Sequence, residues 1–330
     1  MSLDWCIKVR APGKFMRIAI VVDSSCDLSE ADRKLLGIEL WPIDLVRATG
    51  VTPDLRDEAQ TLSVFANAAS QLPNASQPMG QIRARAKLME FATRQDQLLY
   101  LSVMGARSPA LSQARSAAAA LPTSLRTERT VRKLPDFGFY ACDSTQAFAG
   151  YAWMAAFAAQ QFKILTITEV IKAVEEIAPM VCSYTVPDEL HIIRERALKR
   201  GEKSVGLLGY ALGTALDIKP VIACRNSKTG AVARLRGFEN AVSAVISAII
   251  STIKSNALCY PLITIAYAGT LARLQRIPAL RELQIACAGA GVLLLFSIMS
   301  ITSAVNVGPG TFSIGFAANM PPLGDFSQLK

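Results

Sequence analysis

Apolar runs alternate with helical patterns along the first half of the chain. Residues 17–23 (RIAIVVD) form a continuous apolar run, which predicts a strand buried on both faces, and Ser29 and Gly37 predict the two ends of a short helix after it. Further strands are predicted at residues 39–46, where Pro42 marks an edge or an interruption, and at 97–103 and 137–142. Helices are predicted between these strands, at residues 61–72, 78–93, 108–121 and 145–162. This alternation predicts an α/β fold with a parallel sheet, covered on both faces, whose ligands lie beyond the carboxyl ends of the strands.

The second half mixes both kinds of element less regularly. The predicted helices lie at Ile167–Ile177, 187–200, 204–216 and Phe238–Lys254, and the predicted strands at 180–186, 218–224, 231–236 and Leu262–Tyr267. Residues 226–230 (NSKTG) predict a hairpin turn, and another helix and two late strands complete the chain. The stretch 283–326 carries Asp325 as its only charge, so its length alone would suit a membrane span. Because it contains Gly289 and Gly291 and lacks aromatic or basic flanks, a helix that runs into a buried strand is predicted instead.

The length of 330 residues suits two domains of ordinary size. We expect an N-terminal appendage at residues 1–15, a parallel-sheet α/β domain at 16–163 and a mixed α/β domain at 164–330. Residues 1–15 are too poor in apolar side chains for a signal peptide, so a cytoplasmic protein is expected.

Charge and cysteine content narrow the classes of function. The 35 basic and 26 acidic side chains give a net charge of +9, spread along the chain with few aromatics between, so nucleic-acid binding is weakly supported. The seven cysteines show no CxxC spacing, and His191 is the only histidine, which argues against zinc sites and Ser-His or Cys-His hydrolases. Reduced, buried thiols are expected, with no metal and no cofactor. The sequence contains neither a Walker loop nor a GxGxxG motif after a strand, so nucleotide binding is unsupported.

Hydroxyl and carboxylate side chains follow three predicted strands. Asp23 and Ser24 follow the first strand, and Asp143-Ser144-Thr145 repeats that pattern after residues 137–142. Such residues either cap helices and hold loops or contact a ligand. Ser108, with Arg107 and Gly105 in the preceding loop, is either a helix N-cap or part of an anion site.

Six short motifs occur in an order that resembles the DegV family, also called the fatty-acid-binding EDD-fold family. They are VVDSSCDL, ASQP, the loop before SPALSQA, ACDSTQA, LLGYALGTALDIKPVI and GPG, and they extend over residues 16–316. The resemblance implies two α/β domains, the second with a buried apolar slot for one long-chain fatty acid. It also implies a carrier without a catalytic nucleophile, whose bound carboxylate is phosphorylated by a separate fatty acid kinase.

The resemblance also implies which residues surround the carboxylate, and this chain departs from the family there. The family's TSQP threonine is Ala75, next to Ser76; its HTGPG histidine and threonine are Asn306 and Val307, next to Gly308. Of the family's SSGLSGTY motif this chain keeps only one serine, Ser108. The family's basic turn is lengthened here, at residues 194–201. We hypothesise that Arg107 supplies a compensating charge. The predicted ligand-binding residues are therefore Ser108, Arg107, Gly105, Ala75, Ser76, Asn306, Val307, Gly308, Asp23 and Ser24.

Two further sets of residues are weaker candidates. The basic residues expected to dock a kinase are Arg194, Arg196, Arg234 and Arg236. The apolar residues expected to line the slot are Leu207, Leu208, Leu212, Leu216, Val221, Leu262, Ile265 and Leu293–Ile298. The altered head-group residues leave a second hypothesis open, a binding module of the same fold for a less acidic lipid. A third hypothesis is an enzyme that acts on an acyl substrate. It is the least supported, because His191 is the lone histidine and lies outside the matched motifs.

Overall fold

A computed structural model describes residues 7–11, 14–199 and 216–324 of the chain. The strands are β1 Ile7–Ala11, β2 Lys14–Asp23, β3 Ile38–Trp41, β4 Ile43–Arg47, β5 Gly50–Asp54, β6 Ala75–Pro78, β7 Gln97–Ser102, β8 Gly138–Asp143, β9 Val181–Val186, β10 Ile218–Arg225, β11 Lys228–Arg236, β12 Leu262–Tyr267, β13 Leu293–Ile298 and β14 Phe312–Ala317. The helices are α1 Glu30–Leu36, α2 Glu58–Ala66, α3 Ala68–Gln71, α4 Gln81–Arg94, α5 Ala110–Ala119, α6 Thr123–Val131, α7 Phe148–Gln161, α8 Ile167–Ile177, α9 Leu190–Lys199, α10 Phe238–Lys254, α11 Leu271–Gln275, α12 Pro278–Ala290 and α13 Ile301–Val307.

The first sheet confirms the predicted parallel arrangement. Strands β3, β2, β7 and β8 are parallel neighbours in that order, and helices connect them. Strand β1 runs antiparallel to the first half of β2, with Ile7 opposite Ile18, whereas β3 pairs with the second half of β2, with Ile20 opposite Ile38. Residues 7–11 are therefore part of this sheet. Ser29 and Gly37 bound α1 as predicted, since Ser29 Oγ accepts from Asp32 N and Gly37 has a φ of 68°.

Pro42 divides the strand that was predicted at residues 39–46 between two sheets. Strand β3 belongs to the parallel sheet, and β4 lies in the middle of a separate antiparallel sheet, between β5 and β6. Pro42 has no N–H to donate to a sheet ladder, so the pairing of β3 ends beside it. The next N–H, of Ile43, donates to Ser24 Oγ at 2.9 Å. The antiparallel sheet is thereby tied to the carboxyl end of β2.

The second sheet is mixed, with the strand order β11-β10-β9-β14-β12-β13. Within it only β12 and β13 are parallel neighbours. The predicted hairpin joins β10 and β11, but its turn is two residues long, because Asn226 and Ser227 take φ values of 48° and 62° and Lys228 already pairs with Arg225. Two left-handed residues match the natural twist of paired strands, so a longer loop is not needed.

Helix α7 is the centre of the core. Its apolar residues pack on β2 and β7 of the first sheet and on β12 and β14 of the second. Trp153 is fully buried, and its Nε1–H donates to the Leu262 carbonyl at 2.7 Å. On β14, a Cβ added to Gly315 would lie 2.6 Å from the Ala149 carbonyl oxygen, so only glycine permits this close approach of helix and strand.

The stretch 283–326 forms the end of α12, then β13, α13 and β14, and no helix of residues 7–11, 14–199 and 216–324 is long and apolar enough to cross a membrane. The predicted helix-to-strand transition is confirmed. The expectation that the strand is buried is wrong for its first half, because β13 is an edge strand and Leu293 is 43% exposed.

The helices α6 and α13 were not predicted. Helix α13 begins where Ser300 Oγ accepts from Ser303 N at 2.9 Å, and it lies between the two late strands. The helix predicted at 204–216 lies outside the described residues except for its last one.

Candidate functional site

The carboxylate of Asp23 anchors the loop after β7, residues 103–109, through a hydrogen bond. The Asp23 carboxylate accepts from the Val103 N–H at 3.1 Å, from the Ser25 N–H at 3.0 Å and from the Tyr100 hydroxyl at 3.3 Å. Asp23 is fully buried, and this burial raises the pKa of its carboxyl group although the hydrogen bonds oppose the shift. Asp23 therefore positions the loop from inside the protein.

The second Asp-Ser pair holds the same loop from the neighbouring strand. Asp143, at the end of β8, accepts from the Gly105 N–H at 2.9 Å and from the Thr145 N–H at 2.7 Å. The repeated Asp-Ser motif thus has a common structural role, in which two strand ends flank and anchor the loop that carries Ser108. Ser144 is fully buried, and its N–H donates to the Ser102 carbonyl at 2.9 Å.

Ser24 links the two sheets of the first half. It is fully buried, its Oγ donates to the Asp54 carbonyl at 2.6 Å, and the same oxygen accepts from Ile43 N. These two contacts fix the positions of β4 and β5 relative to the parallel sheet. Ser24 therefore connects the two sheets through buried hydrogen bonds, beneath the surface of the candidate site.

Ser108 and Arg107 point to different surroundings. Ser108 is half-buried, and its Oγ accepts from the Ala110 N–H at 3.2 Å at the first residue of α5. Arg107 is exposed, and its Nη2 donates at 2.7 Å to Thr229 Oγ1 on strand β11. The structure therefore gives Ser108 a contact at the helix start, and it ties Arg107 to the β10–β11 hairpin.

Strand β6 contacts the other two segments for which head-group residues were predicted. Ala75 and Ser76 are half-buried and pair with Val46 and Leu45 of β4. The same short strand contacts α5, which follows Ser108, and α13, which ends at Val307. Three segments far apart in sequence thus meet around β6.

The Asn306–Gly308 segment is the third of the segments that meet around β6. Asn306 is half-buried, and its Nδ2 donates to the Thr302 carbonyl at 3.1 Å within α13. Gly308 takes a φ of 89°, and a Cβ there would lie 3.0 Å from Ile192 Cδ1 on α9. The backbone turn after α13 is therefore packed directly against helix α9.

Arg196 of α9 connects these segments. Its Nε donates to the Val305 carbonyl at 2.9 Å, its Nη1 donates to the Asn74 carbonyl, and its Nη2 lies 3.5 Å from the Pro73 carbonyl. It thereby joins the C-terminal turn of α13 to the turn that precedes Ala75. Sequence reasoning assigned Arg196 only to a surface, because nothing in the periodicity of α9 indicates which carbonyl groups its side chain meets.

The remaining predicted residues are dispersed. Arg234 and Arg236 are exposed on the edge strand β11, and Arg194 is half-buried on α9. Val221 and Ile265 are buried in the core of the second sheet and Leu262 in the core around α7, whereas Leu216 is 51% exposed. The residues Leu207, Leu208 and Leu212 lie outside the described residues.

A buried polar network that the sequence did not reveal joins the segment after β2 to the late helix α13. Asp27 Oδ1 accepts from Ser300 N at 2.8 Å and from Ser303 Oγ at 3.2 Å. Arg56 Nη2 donates to the carbonyls of Leu28, at 3.1 Å, and Ile298, at 2.9 Å. Burial raises the pKa of Asp27 to about 6, and the charge of Arg56 opposes that shift.

The thiols and the histidine differ from typical reactive groups. Burial raises the pKa of Cys142, Cys182 and Cys224 to about 12 and that of Cys26 further still, so their thiolates are scarce at neutral pH. His191 is exposed, with Nδ1 3.2 Å from Glu189 Oε2. Among the described residues, no group of three or more histidine, cysteine or acidic side chains is placed to hold a metal ion.

Comparisons with known proteins establish the family of this α/β chain. A family model described as "Uncharacterised protein, DegV family" matches residues 17–319. The DegV domain-containing protein of Xanthomonas axonopodis pv. citri is 34% identical over 309 residues, which cover 92% of this chain and 98% of that protein. Its counterpart from Xanthomonas campestris pv. campestris is 32% identical with the same coverage. The chain belongs to the DegV family.

Solved structures show the same fold. DegV of Bacillus subtilis, described as a fatty acid binding protein, superimposes with a TM-score of 0.70 at 17% identity and covers 92% of this chain and 100% of that one. A stearic acid-binding protein from Eubacterium ventriosum gives 0.70 at 16% identity, covering 91% of this chain and 98% of its own. A hypothetical protein from Thermotoga maritima, whose structure is described as revealing a fatty acid binding function, gives 0.69 at 17% identity, covering 92% and 99%.

Proposed function

We propose that this protein binds one long-chain fatty acid and presents its carboxylate to a separate fatty acid kinase in the cytoplasm. The observation that carries the proposal is the meeting of the segments of Ser76, Ser108 and Asn306 around strand β6. Those are the segments in which the family motifs place the carboxylate. Fatty acids are also what the structural neighbours from Bacillus subtilis and Eubacterium ventriosum are described as binding.

The head-group region offers hydrogen-bond donors around a half-buried surface. Ser76 lies on β6, which contacts α5, the helix that follows Ser108, and Asn306 keeps an amide where the family has histidine. The half-buried guanidinium of Arg196 adds a positive charge at the same junction, between Asn74 and Val305. The two oxygens of one carboxylate can accept from donors on separate elements. Such charge-assisted hydrogen bonds are stronger than hydrogen bonds between neutral groups.

The magnitudes favour a site in which the tail dominates affinity. Burial of a sixteen-carbon tail contributes on the order of 10 kcal/mol before association and ordering costs, at about 0.8 kcal/mol per methylene. A hydrogen bond to a charged group contributes about 1.5–3 kcal/mol. Ala75 and Val307 therefore weaken or relax selection of the head group without abolishing the binding of a long acyl chain.

The kinase-coupled role rests on the exposed basic edge of the second sheet. Arg234 and Arg236 are exposed on β11, an edge strand whose Thr229 accepts a hydrogen bond from Arg107. We propose that this edge docks the kinase and that the carrier contributes no catalytic group of its own. The buried thiols, with their raised pKa values, agree with that division of labour.

A specific observation favours a second candidate function, the binding of a less acidic lipid without kinase coupling. Two positions where the family carries polar side chains are Ala75 and Val307, which offer no side-chain donor, and Val307 is buried in an apolar cluster that includes Ala266 and Met299. A head group with fewer hydrogen-bonding needs would suit such a site.

The deciding experiment compares palmitate with methyl palmitate by fluorescence displacement or calorimetry, alongside mass spectrometry of lipid extracted from protein purified without added lipid. The carrier proposal expects a co-purified fatty acid and at least tenfold tighter binding of the acid than of the ester. Ser76→Ala and Ser108→Ala are expected to reduce that preference, whereas Ser116→Ala, an exposed serine on α5, is the matched control and leaves it unchanged. Equal affinity for acid and ester supports the second candidate instead.

The coupling to a kinase is tested separately with fatty-acid-loaded protein, ATP and a purified fatty acid kinase. The double variant Arg234→Glu/Arg236→Glu is expected to slow acyl phosphate formation at least tenfold while the affinity for palmitate is unchanged. Arg85→Glu, on an exposed position of α4, is the control. Equal rates for wild type and the double variant would overturn the docking assignment alone.

A further inference from the structure

A cleft of about 370 Å³ lies between α1 and the segment that leads into α2, and the proposed function does not use it. Its lining includes three cationic side chains, Arg33, Lys34 and Arg56, and two acidic ones, Glu30 and Asp57. Two of them are unusually inaccessible for arginines, since Arg33 is 8% exposed and Arg56 is 3% exposed. Arginine is almost never buried to this extent unless it is paired.

The buried arginines are only partly compensated among the described residues. The Nε of Arg33 and the Nε of Arg56 are both buried without a hydrogen-bond partner there. Burial and the neighbouring Arg56 charge lower the pKa of Arg33, and the charges of Glu30 and Asp54 partly oppose that shift. An unpaired buried charge destabilises the folded protein, and a bound counter-ion would recover part of that cost.

The carboxylates of Glu30, Asp54 and Asp57 already hold other donors. Glu30 pairs with Lys34 Nζ at 2.6 Å. Asp54 Oδ2 accepts from the backbone N–H of Thr302 at 3.0 Å and from its hydroxyl at 2.7 Å. Asp57 Oδ1 caps α2 through Gln60 N at 2.7 Å. No carboxylate among the described residues forms an ion pair with Arg33, so the protein supplies an anion site without supplying the anion.

We propose that this cleft binds an oxyanion of the phosphate class, as free phosphate or as a phosphomonoester. Two neighbouring guanidinium groups favour a dianion with several oxygens over a single carboxylate, since arginine binds such oxygens bidentately. The cleft volume lies in the range of small-molecule sites, so it also admits a small organic group esterified to the phosphate.

Binding there would affect the junction between the two halves of the chain. Arg56 also donates to the carbonyls of Leu28 in the first half and Ile298 in the second. An anion that neutralises Arg56 would hold this residue in place and stabilise both contacts. The proposal is independent of the fatty-acid site, which lies around β6.

The test uses the full chain and three probes at equal ionic strength: inorganic phosphate, glycerol 3-phosphate and acetate. Saturable phosphate binding is expected by calorimetry and by broadening of the ³¹P resonance, with acetate at least tenfold weaker. Tighter binding of glycerol 3-phosphate than of inorganic phosphate identifies an organic ligand, and equal or weaker binding identifies free phosphate. Absence of saturable binding of either phosphate would overturn the proposal.

Variants connect binding to the cleft. Arg33→Leu is expected to weaken phosphate binding at least tenfold, whereas Arg85→Leu, an exposed arginine on α4, leaves it unchanged. In phosphate-free buffer the urea midpoint of Arg33→Leu is expected to equal or exceed that of the wild type, because an unpaired buried charge has been removed. Undiminished affinity in Arg33→Leu would place any bound phosphate elsewhere. If that variant does not fold, Lys34→Gln provides the second measurement, with at least a threefold loss of phosphate affinity expected and an unchanged affinity contradicting the site.

Discussion

The Asp23 carboxylate accepts a hydrogen bond from the Val103 N–H at 3.1 Å, although the two residues are 80 positions apart in the chain. This bond connects the end of β2 to the first residue of the loop that carries Ser108. The hydroxyls of Tyr100 and Tyr151 lie at 3.3 Å from the same carboxylate oxygen. The loop at the candidate site is therefore positioned by a fully buried acid.

Replacement of Asp23 tests this positioning role. Asp23→Asn places an NH₂ group against donors, so we expect a loss of about 1–3 kcal/mol in the free energy of unfolding. Urea denaturation measures it. Asp143→Asn, at the equivalent position of β8, is the matched control with a smaller expected loss, because Asp143 is only half-buried. A larger loss in Asp143→Asn than in Asp23→Asn would contradict the assigned roles.

The buried Asp27 predicts a specific pH dependence of stability. Its pKa is raised to about 6, whereas an unfolded aspartate titrates near 3.9, so between these values the folded state binds a proton that the unfolded state has released. The Asp27 contribution to stability is therefore largest below the unfolded pKa, and it falls as pH rises from about 4 to about 6, by on the order of 2–3 kcal/mol.

The measurement is the free energy of unfolding of wild type and Asp27→Asn at several pH values from 4 to 7. The difference in the free energy of unfolding between the two proteins is expected to change across that window. The contributions of all other carboxylates are the same in both proteins and cancel. A difference that is constant with pH would mean that Asp27 is ionised throughout the window in the folded protein.

Arg196 is predicted to couple α9 to the head-group region. Arg196→Gln removes the charge and shortens the side chain, so the contacts with Asn74 and Val305 are lost. We expect roughly a tenfold weaker affinity for palmitate, in line with the loss of one or two charge-assisted hydrogen bonds. Arg126→Gln, which removes an exposed ion pair with Asp136, is expected to leave that affinity unchanged. Similar affinities in both variants would remove Arg196 from the site.

Two glycines give opposite predictions for the same substitution. Gly315→Ala would place a Cβ 2.6 Å from the Ala149 carbonyl oxygen, so we expect destabilisation by about 3 kcal/mol or more. Gly289→Ala lies in helix α12 with nothing within 4 Å of the new Cβ, and we expect stabilisation by up to about 1 kcal/mol. Thermal or urea unfolding measures both. Tolerance of alanine at Gly315 would show that α7 and β14 are further apart than described.

Much of the fold was predictable because its signals are local. Ser29 and Gly37 bound a helix through their own backbone and side-chain preferences, and the continuous apolar run of β2 needs no partner to be recognised. The parallel sheet follows from the alternation of such segments. Helix α13 was missed because its apolar residues resemble a buried strand, and its N-cap at Ser300 is a weak signal beside them.

The candidate site was only partly predictable. Family motifs led to Ser76, Ser108 and Asn306, and the structure brings their segments together around β6. Arg196 was assigned to a surface, because contacts with carbonyls more than 100 residues away leave no pattern in a helix. Asp27 and Arg56 carried no signal for the same reason.

The amino-acid sequence by itself determined the alternation of strands and helices, the division of the strand at Pro42 and the family motifs, since each depends on neighbouring residues. The tertiary structure alone decided that Asp23 and Asp143 hold one loop, that Arg196 joins two turns and that Arg33 and Arg56 line one cleft. These relationships depend on which distant segments the burial of α7 between two sheets brings into contact. Hydrogen bonds and charges act over a few ångströms in space, whatever the separation along the chain.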